Sequence, residues 1–204
     1  MASLQTYELV TTDLKRTKAE LRDTTSSQPI FQLDLSFALK DYSRSSKGHS
    51  IVMRDIHSNV VGTADISFSS SSTPIHLCFG NGGTDALANI WEDLRCCDQW
   101  STSVFELSID LGEEVGRKTF YWKRTHDMDT GSVTTARLDS LHLKLVEAET
   151  EKVVARFAHH LLPGSKRGRF ELLAYLGGSK WEVIVMLSGN AVLEYLRKSS
   201  GWSW

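Results

Sequence analysis

The stretch that decides the fold is "SKWEVIVMLSGNAVLEYLRKS", residues 179–199, in which apolar side chains fall on nearly every face of a helix. Ser179 and Glu182 have the spacing of a capping box at its start. Arg197 and Lys198 stand at its end, where cations suit the helix dipole. A helix that is hydrophobic all round has to be enclosed by other elements. The stretch therefore predicts a helix threaded through a closed structure.

An alternative for the same residues is a strand over "EVIVML", residues 182–187, followed by a short helix. β-Branched residues favour strands, and Gly189 permits a break in the chain there. We expect the continuous helix, because its start and end both carry helix signals.

Several segments before this helix alternate apolar and polar residues, which is typical of half-buried strands. Turn signals separate them, for example at Ser58 and Asn59. Many short strands at near-regular spacing predict an antiparallel barrel or sandwich, and a helix that needs enclosure favours the closed barrel. We expect residues 1–204 to form one domain. The clearest alternating segments are "IFQLDLSFAL" (30–39), "SVFELSIDL" (103–111), "LHLKLVEA" (141–148), "KVVARFAH" (152–159) and "RFELLAYL" (169–176).

One segment departs from this alternation. In "TDALANIWEDLRCC", residues 84–97, Leu87, Ile90, Trp91 and Leu94 recur at helical spacing. The spacing predicts a short amphipathic helix near residues 85–96.

Composition excludes some classes of protein. The chain has 204 residues with 23 basic and 25 acidic side chains, a balance that argues against nucleic-acid binding driven by bulk charge. We find no run of eighteen uncharged apolar residues and therefore expect no transmembrane segment. The first residues lack the apolar core of a signal peptide, which favours a cytoplasmic protein, including one that is peripheral at membranes.

The order of elements resembles the tubby C-terminal-like superfamily, and in particular its small fungal single-domain members. The resemblance spans residues 30–198, and its motifs are "FYWKR" (120–124), "LHLKLVEAETEKVVARF" (141–157), "GRFELLAYL" (168–176) and "LEYLRK" (193–198). It implies a mainly β fold, a closed antiparallel barrel of about twelve strands around a buried hydrophobic C-terminal helix. The superfamily also includes phospholipid scramblases and LURP-one-related plant proteins. Tubby proteins bind phosphoinositide headgroups through cations, but their binding motif is not found here at matching positions.

Cations near strand ends give the first functional hypothesis, a non-enzymatic binding or scaffolding module for anionic lipid headgroups or a protein partner. Glycine-flanked cations at a loop tip can hold a phosphate group. The candidate ligand-binding residues are Lys123, Arg124, Lys166, Arg167 and Arg169.

Histidines give the alternative, an enzyme acting on a small apolar molecule in a cleft at one end of the barrel. His126, Asp127, His159 and His160 are the acid–base candidates, because histidine titrates nearest neutral pH. A barrel filled by a helix leaves little room for such a cleft, which disfavours an enzyme. We expect no metal site and no cofactor, since the residues after Asp127 lack most of a calcium loop.

Overall fold

The computed structural model describes residues 4–35, 51–66, 74–80, 90–97, 104–125, 142–160, 165–176 and 180–199. Within these residues the chain forms strands followed by a single C-terminal helix, α1 (Lys180–Ser199). The strands are β1 (Gln5–Thr11), β2 (Lys18–Asp23), β3 (Pro29–Asp34), β4 (Ile51–Asp55), β5 (Val60–Asp65), β6 (Ile75–Phe79), β7 (Ile90–Cys96), β8 (Val104–Asp110), β9 (Arg117–Thr125), β10 (His142–Glu147), β11 (Val153–His159) and β12 (Lys166–Leu172).

The strands form a closed antiparallel barrel. Each strand pairs with the next in sequence, and β1 pairs with β12 to close the ring. β1 and β2 both precede residue 30, so the ring begins before the stretch that carries the family resemblance. The mainly β fold and the closed barrel predicted from the sequence are confirmed.

α1 runs through the interior of the barrel. Its Ser188 accepts a hydrogen bond from Trp122 of β9, and Tyr195 meets Phe105 of β8 edge to face at 5.4 Å between ring centroids. On other sides of the ring, a Cβ added to Gly189 would lie 2.7 Å from Phe170 of β12, and Leu187 lies against β5. Contacts around the ring bury the helix on all its faces, as the apolar pattern predicts. The continuous helix is confirmed, and the strand over "EVIVML" is wrong.

The alternation of each strand places one set of side chains inside the ring. Apolar residues of every strand enclose the helix, and the largest of the fully buried side chains include Trp122, Trp181, Tyr7, Phe105, Phe120, Phe157 and Phe170. Phe157 and Phe170 face each other from paired positions of β11 and β12 at 4.7 Å. This core fixes which side chains of each strand point outward.

The helix predicted near residues 85–96 is wrong over residues 90–96, which form β7. Residues 84–89 lie outside the described residues. β7 hydrogen-bonds to β6 and β8 on its two sides. Leu94 is buried, whereas Trp91 is 56% exposed and therefore belongs to no helical apolar stripe. Closing the ring requires a strand here, and that requirement overrides the local helical spacing.

One end of the barrel contains the last turns of α1. At this end β1, β9 and β11 finish, at Thr11, Thr125 and His159, and we call it the upper rim. Trp181 packs on Phe120 deeper in the barrel, and α1 then runs toward the upper rim, where Glu194 meets the start of β12. The upper rim therefore combines strand ends with the last turns of the helix.

Candidate functional site: a cationic row on the outer wall

Three cations lie side by side on the outer wall of the barrel. Lys123 of β9 is directly opposite Lys144 of β10, and Lys144 is directly opposite Arg156 of β11. We call these three residues the cationic row. Adjacent strands are about 4.8 Å apart, so the row spans about 10 Å.

The row points outward because its neighbours point inward. Trp122 and Leu145, which precede Lys123 and follow Lys144 in sequence, are fully buried. All three cations are partly exposed. Like charges directly opposite each other in a sheet are destabilising, so the three cations of the row repel one another.

The surroundings of the row are mixed in charge. The Lys123 ammonium lies 5.4 Å from the ring centroid of Tyr121, a cation–π contact. Glu106 faces Tyr121 from β8, and its charge raises the pKa of the tyrosine hydroxyl. Glu171 faces Arg156 from β12. The acids thus border the row at its two ends and leave the middle cation, Lys144, between two other cations.

Two cations predicted from the sequence lie elsewhere on the wall, each beside a carboxylate. Lys166 forms an ion pair with Glu8 at 2.8 Å. Arg169 forms one with Glu171 at 2.7 Å, which also places it near the Arg156 end of the row. The prediction that they bind a ligand stays a prediction.

The other two predicted cations lie toward the upper rim. Arg124 shares the inward side of Phe120 and Trp122 at the end of β9. Arg167 is mostly buried and donates hydrogen bonds to Thr11 and Glu194. The structure therefore does not gather the five predicted cations at one place; of the five, only Lys123 belongs to the row.

The predicted acid–base residues are also divided. His126 and Asp127 lie outside the described residues. His159 and His160 are consecutive, with His159 at the end of β11, and the backbone N–H of His159 donates to Nδ1 of His142 at 3.2 Å. Burial lowers the pKa of His159 to about 4, with further lowering by His142, His160 and Arg167. His159 is therefore neutral near pH 7.

A cleft opens beside His159 between β11, β12 and the helix. Its volume is about 10 Å³, which is room for about one water molecule. It is lined by Leu9, Phe157, His159, Arg167, Asn190, Leu193 and Glu194. A cleft of this volume has no room for an apolar substrate. Among the described residues, no three His, Cys, Asp or Glu side chains are grouped to hold a metal ion.

Sequence reasoning missed two of the three residues of the row. Lys144 and Arg156 stand on the polar side of "LHLKLVEA" and "KVVARFAH", so the alternation places them outside. Their juxtaposition depends on the register of β9, β10 and β11, which the alternation does not fix.

Comparisons with known proteins add little to this description. No protein-family model matches the chain, and no curated protein matches it. A solved structure that matches is an X-ray structure of a protein from Arabidopsis thaliana, with 11% sequence identity and a TM-score of 0.43 over 91% of this chain and 90% of that chain. None of the helices in the described part of the chain is long and apolar enough to cross a membrane.

Proposed function

We propose that this protein is a tubby-like barrel that acts as a non-enzymatic binding module, and that its cationic row binds the anionic headgroups of membrane phospholipids. The observation that carries the proposal is the register that sets Lys123, Lys144 and Arg156 directly opposite one another. The closed barrel around a buried helix is the architecture that the family resemblance implies, and it supports the tubby-like assignment.

The row has the chemistry that a phosphate-bearing surface requires. Ammonium and guanidinium groups donate strong, charge-assisted hydrogen bonds to phosphate oxygens. Near an anionic membrane each cation contributes about 1 kcal/mol, so three give about 3 kcal/mol. This predicts weak, reversible binding that depends on the density of anionic lipid.

Repulsion within the row also supports a ligand. An anion placed over Lys144 would relieve the repulsion from both neighbours at once. Arg169 lies two residues along β12 from Glu171, which faces Arg156. It can extend the cationic surface when an anionic headgroup competes with the Glu171 carboxylate for its guanidinium.

The test is flotation of the protein with liposomes. Vesicles of phosphatidylcholine with and without phosphatidylserine or a phosphoinositide are compared at two salt concentrations. We expect binding only with anionic lipid, and weaker binding at high salt, because salt screens exposed charges. The variant Lys144→Gln with Arg156→Gln should lose most of the binding.

A matched control removes two exposed lysines outside the row, Lys18→Gln with Lys152→Gln, and makes the same change in net charge. Equal loss in both double variants would show that only bulk charge matters, and the proposal would fail. Absence of vesicle binding by the wild-type protein would refute the lipid headgroup and leave an acidic protein partner as the other reading of the same row.

A further inference from the structure

A fully exposed leucine stands at the tip of the turn between β1 and β2. Leu14 has a relative exposure of 103%, the largest among the exposed apolar side chains in the described part of the chain. Single exposed apolar residues are common on soluble proteins, so exposure alone assigns no role to Leu14. The structure of the turn, the charge beside the leucine and the place of the turn in the barrel do assign one.

The turn is built to hold Leu14 in the solvent. The Asp13 carboxylate accepts hydrogen bonds from the Thr17 hydroxyl at 2.7 Å and from the backbone N–H of Lys18 at 2.8 Å. The backbone N–H of Arg16 donates to the backbone oxygen of Asp13 at 3.1 Å, which closes the turn around its tip. Leu14 is therefore displayed by an ordered, hydrogen-bonded turn.

The turn is also tied to the barrel. The buried guanidinium of Arg167 in β12 donates to the Thr11 hydroxyl at 2.9 Å and to the backbone oxygen of Arg16 at 2.9 Å, and so holds the turn on both sides of its tip. The backbone N–H of Thr11 donates to the backbone oxygen of Ser165 at 2.6 Å. Because the turn and the wall form one unit, a surface that binds the tip orients the whole barrel.

Positive charge follows the apolar tip. Lys15 and Arg16 come directly after Leu14, and both residues are exposed. An apolar residue beside cations suits the interface of an anionic membrane, where the apolar group enters the acyl boundary and the cations stay with the headgroups. A stable protein interface buries roughly 800 Å² on each partner, far more than one leucine supplies. The tip therefore fits a lipid surface better than a protein partner.

The turn and the cationic row lie near the same end of the barrel. β1 finishes at Thr11 on the upper rim. Lys123 lies in β9, which ends at Thr125, and Arg156 lies in β11, which ends at His159, so the row is about 10 Å or less from this rim. Only β12 separates β1 from β11 in the ring. A barrel that rests on this side of its upper rim brings the turn and the row to one surface.

We propose that Leu14 enters the interface of an anionic membrane and, together with the cationic row, orients the barrel with its upper rim toward the lipid. This inference rests on the lipid-binding function proposed for the row and adds an apolar anchor to it. Cations alone give a reversible attraction to the surface, and stable anchoring takes a second signal. Burial of the leucine side chain supplies that signal.

The first test compares liposome flotation of the wild-type protein and Leu14→Ser, with vesicles of phosphatidylcholine and phosphatidylserine. Leu14→Ser should weaken binding about tenfold, because it removes the apolar side chain that would be buried. The ratio of the two affinities should be the same at low and high salt, since salt screens charges and leaves apolar burial in place. The Tm should not change, because the leucine is fully exposed in the folded protein.

Ile56→Ser is the matched control. Ile56 is 63% exposed and lies on the turn between β4 and β5, at the opposite end of the barrel. Its replacement removes a similar apolar side chain and should leave vesicle binding unchanged. Equal losses in Leu14→Ser and Ile56→Ser would refute the proposed orientation.

The second test measures insertion directly. Leu14→Trp should bind vesicles at least as tightly as the wild-type protein, because tryptophan favours the membrane interface. With lipids brominated on their acyl chains, its fluorescence should be quenched more than that of the wild-type protein, whose own tryptophans give the baseline. Ile56→Trp should show no added quenching, and added quenching there but not in Leu14→Trp would place the wrong end of the barrel on the lipid.

The outcomes separate this inference from the function proposed for the row. If Leu14→Ser binds vesicles as tightly as the wild-type protein, the apolar anchor is refuted while the row keeps its proposed role. If the wild-type protein binds no anionic vesicles, both proposals fall.

Discussion

Trp122 of β9 donates its indole N–H to the hydroxyl of Ser188, at 3.0 Å, in the middle of the enclosed helix. The same hydroxyl donates to the backbone oxygen of Ile184 at 2.6 Å. Both side chains are fully buried, so this polar contact helps to fix the height and rotation of α1 within the barrel.

We expect Ser188→Ala to lower the free energy of unfolding by about 1–3 kcal/mol, because it leaves a buried indole N–H without its acceptor. Urea unfolding measures the change. Trp122→Phe removes the donor, so adding Ser188→Ala to it should cost much less than Ser188→Ala in the wild-type protein. Simple additivity of the two changes would mean that the bond does not link barrel and helix.

Gly189 reverses the usual ranking of helix residues. Alanine in place of glycine normally stabilises a helix by about 1 kcal/mol. Here an added Cβ would lie 2.7 Å from Phe170 Cε1 and 3.1 Å from Trp122 Cζ2. We therefore expect Gly189→Ala to destabilise the protein by about 1–3 kcal/mol through overpacking. Thermal melting followed by circular dichroism measures the change in stability. Adding Phe170→Leu to Gly189→Ala puts a smaller side chain opposite the new Cβ and should recover part of the lost stability. A rise in Tm would refute the close approach of helix and β12.

Glu194 is the shared partner of Arg167 and Arg197, with a side chain only 10% exposed. Removing its charge leaves two arginines together without compensation. We expect Glu194→Gln to destabilise the protein by about 3 kcal/mol or more. Arg167→Gln leaves Glu194 still paired with Arg197 and should cost less. Chemical denaturation measures the loss of unfolding free energy in each variant. A larger loss in Arg167→Gln than in Glu194→Gln would show that the hydrogen bonds of Arg167 to Thr11 and Arg16 outweigh its ion pair.

His159 should make stability depend on pH in the acid range. Its folded pKa, about 4, lies below the ordinary value of 6.5, so the unfolded state binds the proton more readily between these pH values. Stability should therefore be full above about pH 6.5 and decline as the pH falls toward 4. Because His159 is partly exposed, we expect about 1–2 kcal/mol from it. His159→Gln should flatten the profile of unfolding free energy against pH over this range. An unchanged slope would mean that other groups cause the pH dependence.

The cationic row should oppose stability while it serves binding. Lys144→Gln removes a like charge from between Lys123 and Arg156. We expect it to raise the free energy of unfolding by about 0.2–1 kcal/mol and to weaken liposome binding. Lys152→Gln serves as the control in both assays. A variant that loses both stability and binding would indicate that Lys144 is held by contacts that favour the fold.

The core was predictable from sequence where local pattern and tertiary structure agree. The all-round apolar face of residues 181–196 predicted enclosure, and the alternation in β8 to β12 predicted which side of each strand is buried. The spacing of Ile90, Trp91 and Leu94 predicted a helix, and the prediction was wrong because these residues pair with two neighbouring strands as part of β7.

The site was harder to predict because it depends on pairing between strands. Lys166 and Arg167 are adjacent in sequence, yet they lie in different surroundings. A register shift opposite Leu9 and Val10 accompanies the exposed Lys166 beside Glu8 and the buried Arg167 against Glu194. Bulges of this kind re-aim side chains and leave no simple signal in the alternation. Lys144 and Arg156 likewise become neighbours only through the register.

The pairing of β1 with β12 also bears on how the chain reaches its folded state. Gln5 meets Leu172, so the ring cannot close until β12 has left the ribosome. Until then the nascent sheet has two open edges, and unpaired strand edges are prone to intermolecular association. Contacts this distant in sequence also slow folding. The barrel in which each described strand is paired on both sides therefore exposes two unpaired strand edges while the chain is being synthesised.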